Sequence, residues 1–179
     1  MGLEDKLKEA GELVEYNKND IVFAQGKSDD YLYKVKKGCL KAYYITNSGK
    51  EYVKSFILEN DYIASLSAYR LPDAYCKYSL VCLEPSVLLR LKLSVIFDII
   101  KKDPTATISI FNILINILLK KEQREFEFLC LSAEERFTQI KKEMPGLLTR
   151  ATYQNMRPCF LNKTATTAKI VTACLCNLR

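Results

Sequence analysis

The chain has 179 residues, of which 49% are hydrophobic and 27% charged, and its formal net charge is +6. This composition predicts one main globular domain with an appendage, and it disfavours a disordered chain. The sequence contains no histidine, which removes the commonest general base and metal ligand. We therefore predict a protein that is not an enzyme and holds no metal.

The cysteines and the charges indicate a compartment and disfavour a polyanion partner. The seven cysteines are widely spread, and the first residues are charged and helix-like, unlike a secretion signal. We therefore predict a reducing cytoplasm, with Cys174 and Cys176 giving only a weak metal signal. Residues 151–179 hold four basic and no acidic side chains, so most of the basic excess lies there and not in the main domain.

The first predicted element is a short amphipathic helix over residues 3–16. Its apolar side chains recur at helical spacing among charged residues, at Leu3, Leu7, Ala10, Leu13 and Val14.

Residues 21–92 then show short β-rich runs separated by turn residues. Six runs recur at a spacing typical of an antiparallel sandwich or jelly roll, at residues 21–25, 31–35, 39–46, 51–57, 78–83 and 87–92. Asn47, Ser48 and Gly49 tolerate a left-handed backbone, which predicts a hairpin between the third and fourth runs.

The pattern becomes helical after Leu93. Residues 95–102 form one predicted helix, which ends before Asp103, and Pro104 can open the next. The segment 108–119 is the most apolar of the chain but is too short and too polar to span a bilayer, so we expect no membrane role. Its broad apolar face comprises Ile108, Phe111, Ile115, Leu118, Leu119 and Phe126.

A further helix is predicted from Ser132, where Glu135 completes a capping box, to about Glu143. Beyond Arg150 the composition changes, and neither a helical nor an alternating period is sustained. We expect no regular continuation of the preceding fold in residues 151–179.

Several of these segments together resemble the Crp/Fnr family of bacterial regulators. They are YNKNDIVFAQG (16–26), YLY (31–33), KGCLK (37–41), NSGKE (47–51) and SAEERF (132–137). The resemblance covers about residues 10–150. It implies a mainly β fold with flanking helices, in which a cyclic-nucleotide-binding type antiparallel β-roll (jelly roll) is followed by a long dimerisation helix. A C-terminal winged helix-turn-helix that reads DNA normally completes such a chain.

The resemblance also implies a domain plan. Residues 1–104 correspond to the β-roll with an N-terminal helix, and 105–130 to the dimerisation helix. Residues 131–150 correspond to the start of a DNA-binding domain, and 151–179 to an atypical tail.

In that family the segment matching residues 60–80 holds a cyclic nucleotide through a Gly, a Glu and an Arg. The resemblance places Ala64, Ser65 and Lys77 at these positions. Since the substitutions remove two charge-assisted contacts, of about 1.5–3 kcal/mol each, we do not expect tight binding of cyclic AMP. The candidate ligand-binding residues are Ala64, Ser65, Leu66, Lys77, Tyr78 and Ser79.

Two interpretations of this segment remain open. A different small anionic or polar ligand, or a nucleotide, is one, with Lys77 acting beside Ser65, Ser67 or Tyr78. The other is a packed loop in which Lys77 is simply solvated. No cofactor is otherwise implied, and an iron–sulfur cluster is not expected because no cysteine precedes Cys39.

The long helix has two interpretations as well: a homodimer helix, or a helix lying on the roll. We favour the homodimer, because a monomer would leave a large apolar patch exposed.

The tail leaves the DNA-reading part in question. No helix, glycine turn and basic helix follow Arg150, so we hypothesise that the winged helix-turn-helix is truncated or frameshifted near Ala151. The alternative is a naturally truncated sensor with a disordered basic tail.

The sequence thus predicts the sensing and dimerisation part of a transcriptional regulator, reaching DNA only through a domain that looks missing. The alternative is a stand-alone nucleotide-binding-like module that regulates a protein partner.

Overall fold

Two four-stranded antiparallel sheets face each other and form the β-roll of this protein. The computed structural model describes residues 2–70, 75–151 and 155–156. The strands are β1 (Glu12–Tyr16), β2 (Ile21–Phe23), β3 (Tyr31–Lys37), β4 (Leu40–Ile45), β5 (Glu51–Ile57), β6 (Tyr62–Ala64), β7 (Ser79–Cys82) and β8 (Ser86–Lys92). The first sheet has the order β1-β8-β3-β6 and the second the order β2-β7-β4-β5.

Helices lie before, within and after the roll. They are α1 (Leu3–Ala10), α2 (Leu66–Arg70), α3 (Leu93–Lys102), α4 (Pro104–Cys130), α5 (Ala133–Glu143) and α6 (Leu147–Arg150). The mainly β fold with flanking helices, the six predicted strands and the long helix after the roll are therefore confirmed.

The predicted helix over residues 3–16 is wrong for its second half. The helix ends at Ala10, and Glu12–Tyr16 form β1, which pairs with β8. Gly11 makes the change of direction possible, because a Cβ there would lie 2.8 Å from the Leu7 carbonyl oxygen and from Leu89 Cδ1. The chain therefore passes too close to β8 for a side chain at this position.

The roll is closed by a core between the sheets. Small and branched residues alternate inward along the strands, and the buried set comprises Phe23, Tyr33, Val35, Leu40, Ala42, Ile57, Ile63, Cys76, Tyr78, Leu80, Cys82 and Leu88. Leu40, Leu80 and Leu88 are completely buried. Each contributes about 1.5–3 kcal/mol by leaving water, so this core holds the two sheets together.

Tight turns set the strand register. Gly49 has φ 77° in the predicted β4–β5 hairpin, which the structure confirms. Gly38 has φ 118°, and a Cβ there would lie 2.1 Å from Ser86 Oγ. Only glycine fits between β3 and β4 at this point.

Helix α4 begins where the sequence predicted. The Asp103 carboxylate accepts hydrogen bonds from the backbone N–H groups of Thr105 (2.9 Å) and Ala106 (3.2 Å), and Pro104 occupies the first helical position. Lys6 of α1 also pairs with Asp103. The start of the long helix is thereby fixed to the N-terminal helix.

Candidate functional site

The segment from Ala64 to Lys77, which we call the cassette, starts at the end of β6 and leads through Ser65 into α2. Ser65 is buried, and its Oγ lies 3.5 Å from Ser67 Oγ. Burial raises the pKa of the nearby Cys76 thiol, against the opposing effect of its hydrogen bond with Ser65. Ser65, which the resemblance matches to the family's glutamate, is therefore a small buried hydroxyl.

The structure brings Ala64, Ser65 and Tyr78 together. The Tyr78 hydroxyl donates a hydrogen bond to the Ala64 carbonyl oxygen at 2.8 Å, and its side chain is almost fully buried. The Tyr78 ring also packs edge-on against Phe23, with centroids 5.2 Å apart. Tyr78 thus fills the roll interior beside the cassette and ties β6 to the start of β7.

The other predicted ligand residues do not converge on this point. Leu66 is exposed, and Lys77 is exposed with its Nζ 4.3 Å from the centre of the Tyr75 ring. Ser79 is buried, and its Oγ accepts a hydrogen bond from the Gln25 backbone N–H at 2.9 Å. In this arrangement Lys77 makes a cation–π contact within its own loop, and Ser79 serves the strand connection.

Asp29 is a half-buried carboxyl group that the sequence patterns do not single out. Asp29 accepts hydrogen bonds from the Tyr31 backbone N–H (3.0 Å) and the Tyr33 hydroxyl (2.8 Å). Burial raises the pKa of this carboxyl. The available signal in the sequence is an Asp two residues before the Tyr31-Leu32-Tyr33 run.

A lysine on β5 was also missed. Ala42 pairs with Ser55 and Tyr43 pairs with Val53, so Lys54 is left without a partner on β4 in a β-bulge. Its Nζ lies 4.6 Å from the centre of the Tyr78 ring. A bulge depends on strand pairing, so no local sequence pattern announces it.

The predicted dimerisation residues of α4 lie on its solvent side. All six are more than a third exposed: Ile108 64%, Phe111 60%, Ile115 38%, Leu118 57%, Leu119 56% and Phe126 53%. The helix contacts the rest of the protein through other residues. Ala106 is buried, and Lys120 places its Nζ 2.6 Å from Asp61 Oδ1. The apolar face is therefore not covered by the roll.

The segment after α4 packs on the outer face of the second sheet. The predicted capping box is present, since Ser132 and Glu135 each bond the other's backbone N–H. Phe137, Ile140 and Leu147 form a buried cluster with Cys39 and Phe56 of the roll region. The segment predicted to start a DNA-binding domain is thus packed on the β-roll.

Arg150 completes this anchor through two carboxylates, and we call the three residues the clasp. Its guanidinium donates to Glu59 at 2.6 and 2.8 Å and to Glu84 at 2.5 and 3.1 Å. Hydrogen bonds from Arg150 hold the pKa of Glu59 at about 2. Glu59 also accepts from the Gly38 backbone N–H at 2.9 Å, so the clasp connects the C-terminal segment with the turn just before β6.

Within residues 2–70, 75–151 and 155–156, no helix is both long and apolar enough to span a bilayer. The same residues bring together no group of three or more cysteine, aspartate or glutamate side chains placed to hold a metal ion.

Comparison with known proteins identifies the architecture. A family model described as a cyclic nucleotide-binding domain matches residues 13–103. No curated protein sequence is significantly similar to the chain.

Solved structures show the same fold at low sequence identity. FixK2 from Bradyrhizobium japonicum is 15% identical, with a TM-score of 0.72 over 94% of this chain and 85% of that one. The c-di-GMP responsive global regulator CLP of Xanthomonas campestris is 12% identical, with a TM-score of 0.77 over 98% and 92%. The sensor domain of the transcriptional regulator DNR from Pseudomonas aeruginosa is 22% identical, with a TM-score of 0.55 over 73% and 84%.

Proposed function

This chain belongs to the cyclic nucleotide-binding domain family and has the fold of Crp/Fnr-type regulators, and we propose that it is the effector-sensing and dimerisation part of such a transcriptional regulator. We propose further that its cassette does not bind cyclic AMP tightly. The protein acts in the cytoplasm as a homodimer and is not an enzyme.

The observation that carries the proposal is the hydrogen bond from Tyr78 to the Ala64 carbonyl oxygen. This bond holds the buried Tyr78 side chain beside Ala64. It supports the proposal because a nucleotide bound there would have to displace the Tyr78 ring. The carboxylate and guanidinium of the family pattern are also replaced, by buried Ser65 and by Lys77, which lies on Tyr75. Loss of these charge-assisted contacts weakens binding by about tenfold or more each.

A restored cassette tests this proposal. The variant Ala64→Gly, Ser65→Glu, Lys77→Arg, Tyr78→Ser supplies the family residues and removes the ring. We expect it to bind cyclic AMP at least about a hundredfold more tightly than the wild type in calorimetric titration. The matched variant Ala64→Gly, Ser65→Glu, Lys77→Arg, which keeps Tyr78, should gain less affinity for cyclic AMP.

A folded four-residue variant that still fails to bind would contradict the proposal. Circular dichroism and a cooperative thermal transition establish whether each variant is folded.

The DNA-reading part stays a prediction. The contacts of α5 with the β-roll support the proposal that residues 131–150 are the start of a DNA-binding domain. The segment 151–179, which we predict to be truncated or frameshifted, lies almost wholly outside the described residues. Translating the other reading frames downstream of Ala151 tests the frameshift hypothesis, which fails if no frame encodes a helix-turn-helix. Operator selection with a product whose reading frame does encode a helix-turn-helix separates a regulator from a stand-alone module, since a module shows no sequence preference.

A further inference from the structure

The turn between β5 and β6, residues 58–61, is held in one shape by its own hydrogen bonds. Asn60 has φ 69°, and the Leu58 backbone N–H donates to Asp61 Oδ2 at 3.0 Å. Val35 of β3 makes two backbone hydrogen bonds with the turn, at 2.9 Å with Asn60 and at 3.0 Å with Asp61. One residue of this turn therefore does not shift without disturbing the others.

Two carboxylates of the turn contact the helices that follow the roll. Glu59 belongs to the clasp and accepts hydrogen bonds from Arg150 at the end of α6. Asp61 pairs with Lys120 in the second half of α4, with Oδ1 2.6 Å from Nζ. The turn therefore touches the long helix and the C-terminal segment at positions two residues apart.

The clasp favours docked α5 and α6 over a released segment. Arg150 Nη2 donates to Glu59 at 2.6 Å and to Glu84 at 2.5 Å, so one guanidinium lies between two carboxylates. Release of α6 would leave these like charges beside each other. The stabilisation of the docked segment therefore depends on where the turn holds Glu59.

A thiol beneath the segment can report its release. Cys39 is a free, completely buried cysteine, and it lies in one cluster with Phe137 and Ile140 of α5 and Leu147 of α6. Undocking of these helices would expose its Sγ to solvent. Cys82 lies in the inner core between the sheets instead, so it stays covered unless the roll itself opens.

We infer that the β5–β6 turn is a latch through which the position of α4 controls the release of α5 and α6 from the roll. Lys120 holds Asp61, and the turn then holds Glu59 where it meets Arg150. A movement of α4 that breaks the pair between Lys120 and Asp61 weakens the clasp at the other end of the turn. The inference goes beyond the proposed function, because the latch needs neither a nucleotide nor DNA.

Maleimide labelling of the full chain, measured at Cys39 by peptide mass spectrometry, tests the latch. Because labelling follows the population of the undocked segment, Arg150→Ala should raise its rate about fivefold. Lys120→Gln should raise it about twofold or more, a small effect because Lys120 is exposed to solvent.

Two controls separate the latch from a general loosening of the protein. Labelling of Cys82 should stay at the wild-type rate in both variants, and an equal rise there would overturn the inference. Lys121→Gln removes the same charge from the next, also exposed residue of α4 and leaves Asp61 paired. It should leave Cys39 labelling unchanged, and a rise equal to that of Lys120→Gln would overturn the inference too.

The double variant Lys120→Gln, Arg150→Ala tests whether both contacts act through one turn. Since Lys120 acts through the clasp, we expect Cys39 to label no faster in the double variant than in Arg150→Ala alone. Multiplied effects would overturn the inference, because independent contacts add in free energy. An unchanged rate in Lys120→Gln would also overturn it. None of these outcomes involves cyclic AMP, so the latch and the proposed function can fail separately.

Discussion

At the scale of single residues, Tyr78 connects the core of the β-roll to the start of the cassette. Its ring belongs to the inner core, yet its hydroxyl reaches the backbone of Ala64 at the start of the cassette. Burial raises the pKa of this hydroxyl, so it stays a neutral donor at physiological pH. An uncharged hydrogen bond therefore connects Tyr78 to the start of the cassette.

Tyr78→Phe should reduce the free energy of unfolding by about 1 kcal/mol, because the Ala64 carbonyl loses its donor while the ring is kept. Urea denaturation of both proteins measures the difference. Tyr75→Phe is the matched control, since Tyr75 is exposed and should be almost neutral. Equal stability of Tyr78→Phe and the wild type would show that the hydrogen bond does not hold the cassette.

At the scale of elements, one side of α4 packs on the β-roll and the other side is exposed to solvent. Its first turns pack on the roll through Ala106 and Ile110, and further along Lys120 contacts Asp61. The opposite side carries the six exposed apolar residues of the predicted dimer face. Such a contiguous apolar surface is what a second copy of the helix would cover.

Leu118→Glu should weaken the homodimer, because it places a charge within the apolar face. We expect the dissociation constant to rise by about tenfold or more, measured by sedimentation equilibrium. Asn116→Glu is the matched control, since Asn116 is a polar residue outside the six-residue apolar face. This variant should stay dimeric. A wild-type monomer, or equal effects of both variants, would contradict the dimer face.

The clasp connects a second pair of elements, α6 and the turn before β6. Arg150→Ala should cost about 1 kcal/mol near neutral pH, a modest value because Glu59 is exposed to solvent. Arg150→Lys keeps the charge but loses the paired hydrogen bonds of the guanidinium, so its free energy of unfolding should lie between those of the wild type and Arg150→Ala.

The clasp also predicts a pH dependence. In the fold the pKa of Glu59 is about 2, below the value of about 4.3 for a free glutamate. The stabilisation by Arg150 is therefore full above about pH 5 and is lost as the pH falls towards the folded value. Urea denaturation across this range should show the wild type and Arg150→Ala converging in acid, and a constant difference would contradict the clasp.

At the scale of the whole molecule, local sequence patterns predict the strands but not which strands pair with each other. Turn residues such as Asn47 and Gly49 marked the hairpin, and Ser132 with Glu135 marked α5. The pattern from Leu7 to Val14 fits a helix as well as a helix followed by a strand, and only the close packing of Gly11 on β8 decides between them. Long-range pairing is not encoded in local periodicity.

The candidate site divides in the same way. The position of the cassette and its changed residues Ala64, Ser65 and Lys77 are predicted only through the family resemblance, and they stay a prediction. The sequence does not predict the hydrogen bond from Tyr78 to Ala64, which spans fourteen positions, or the placement of Lys54 in a bulge over the Tyr78 ring. These contacts arise only when both sheets are assembled.

Calorimetric titration of the wild-type protein with cyclic AMP is the most direct test of the central claim, that this is a sensor of the cyclic nucleotide-binding fold whose cassette no longer holds the nucleotide. We expect no binding at micromolar concentrations, because the charged contacts are absent and Tyr78 occupies the space beside Ala64. Saturable binding with a sub-micromolar dissociation constant would contradict it.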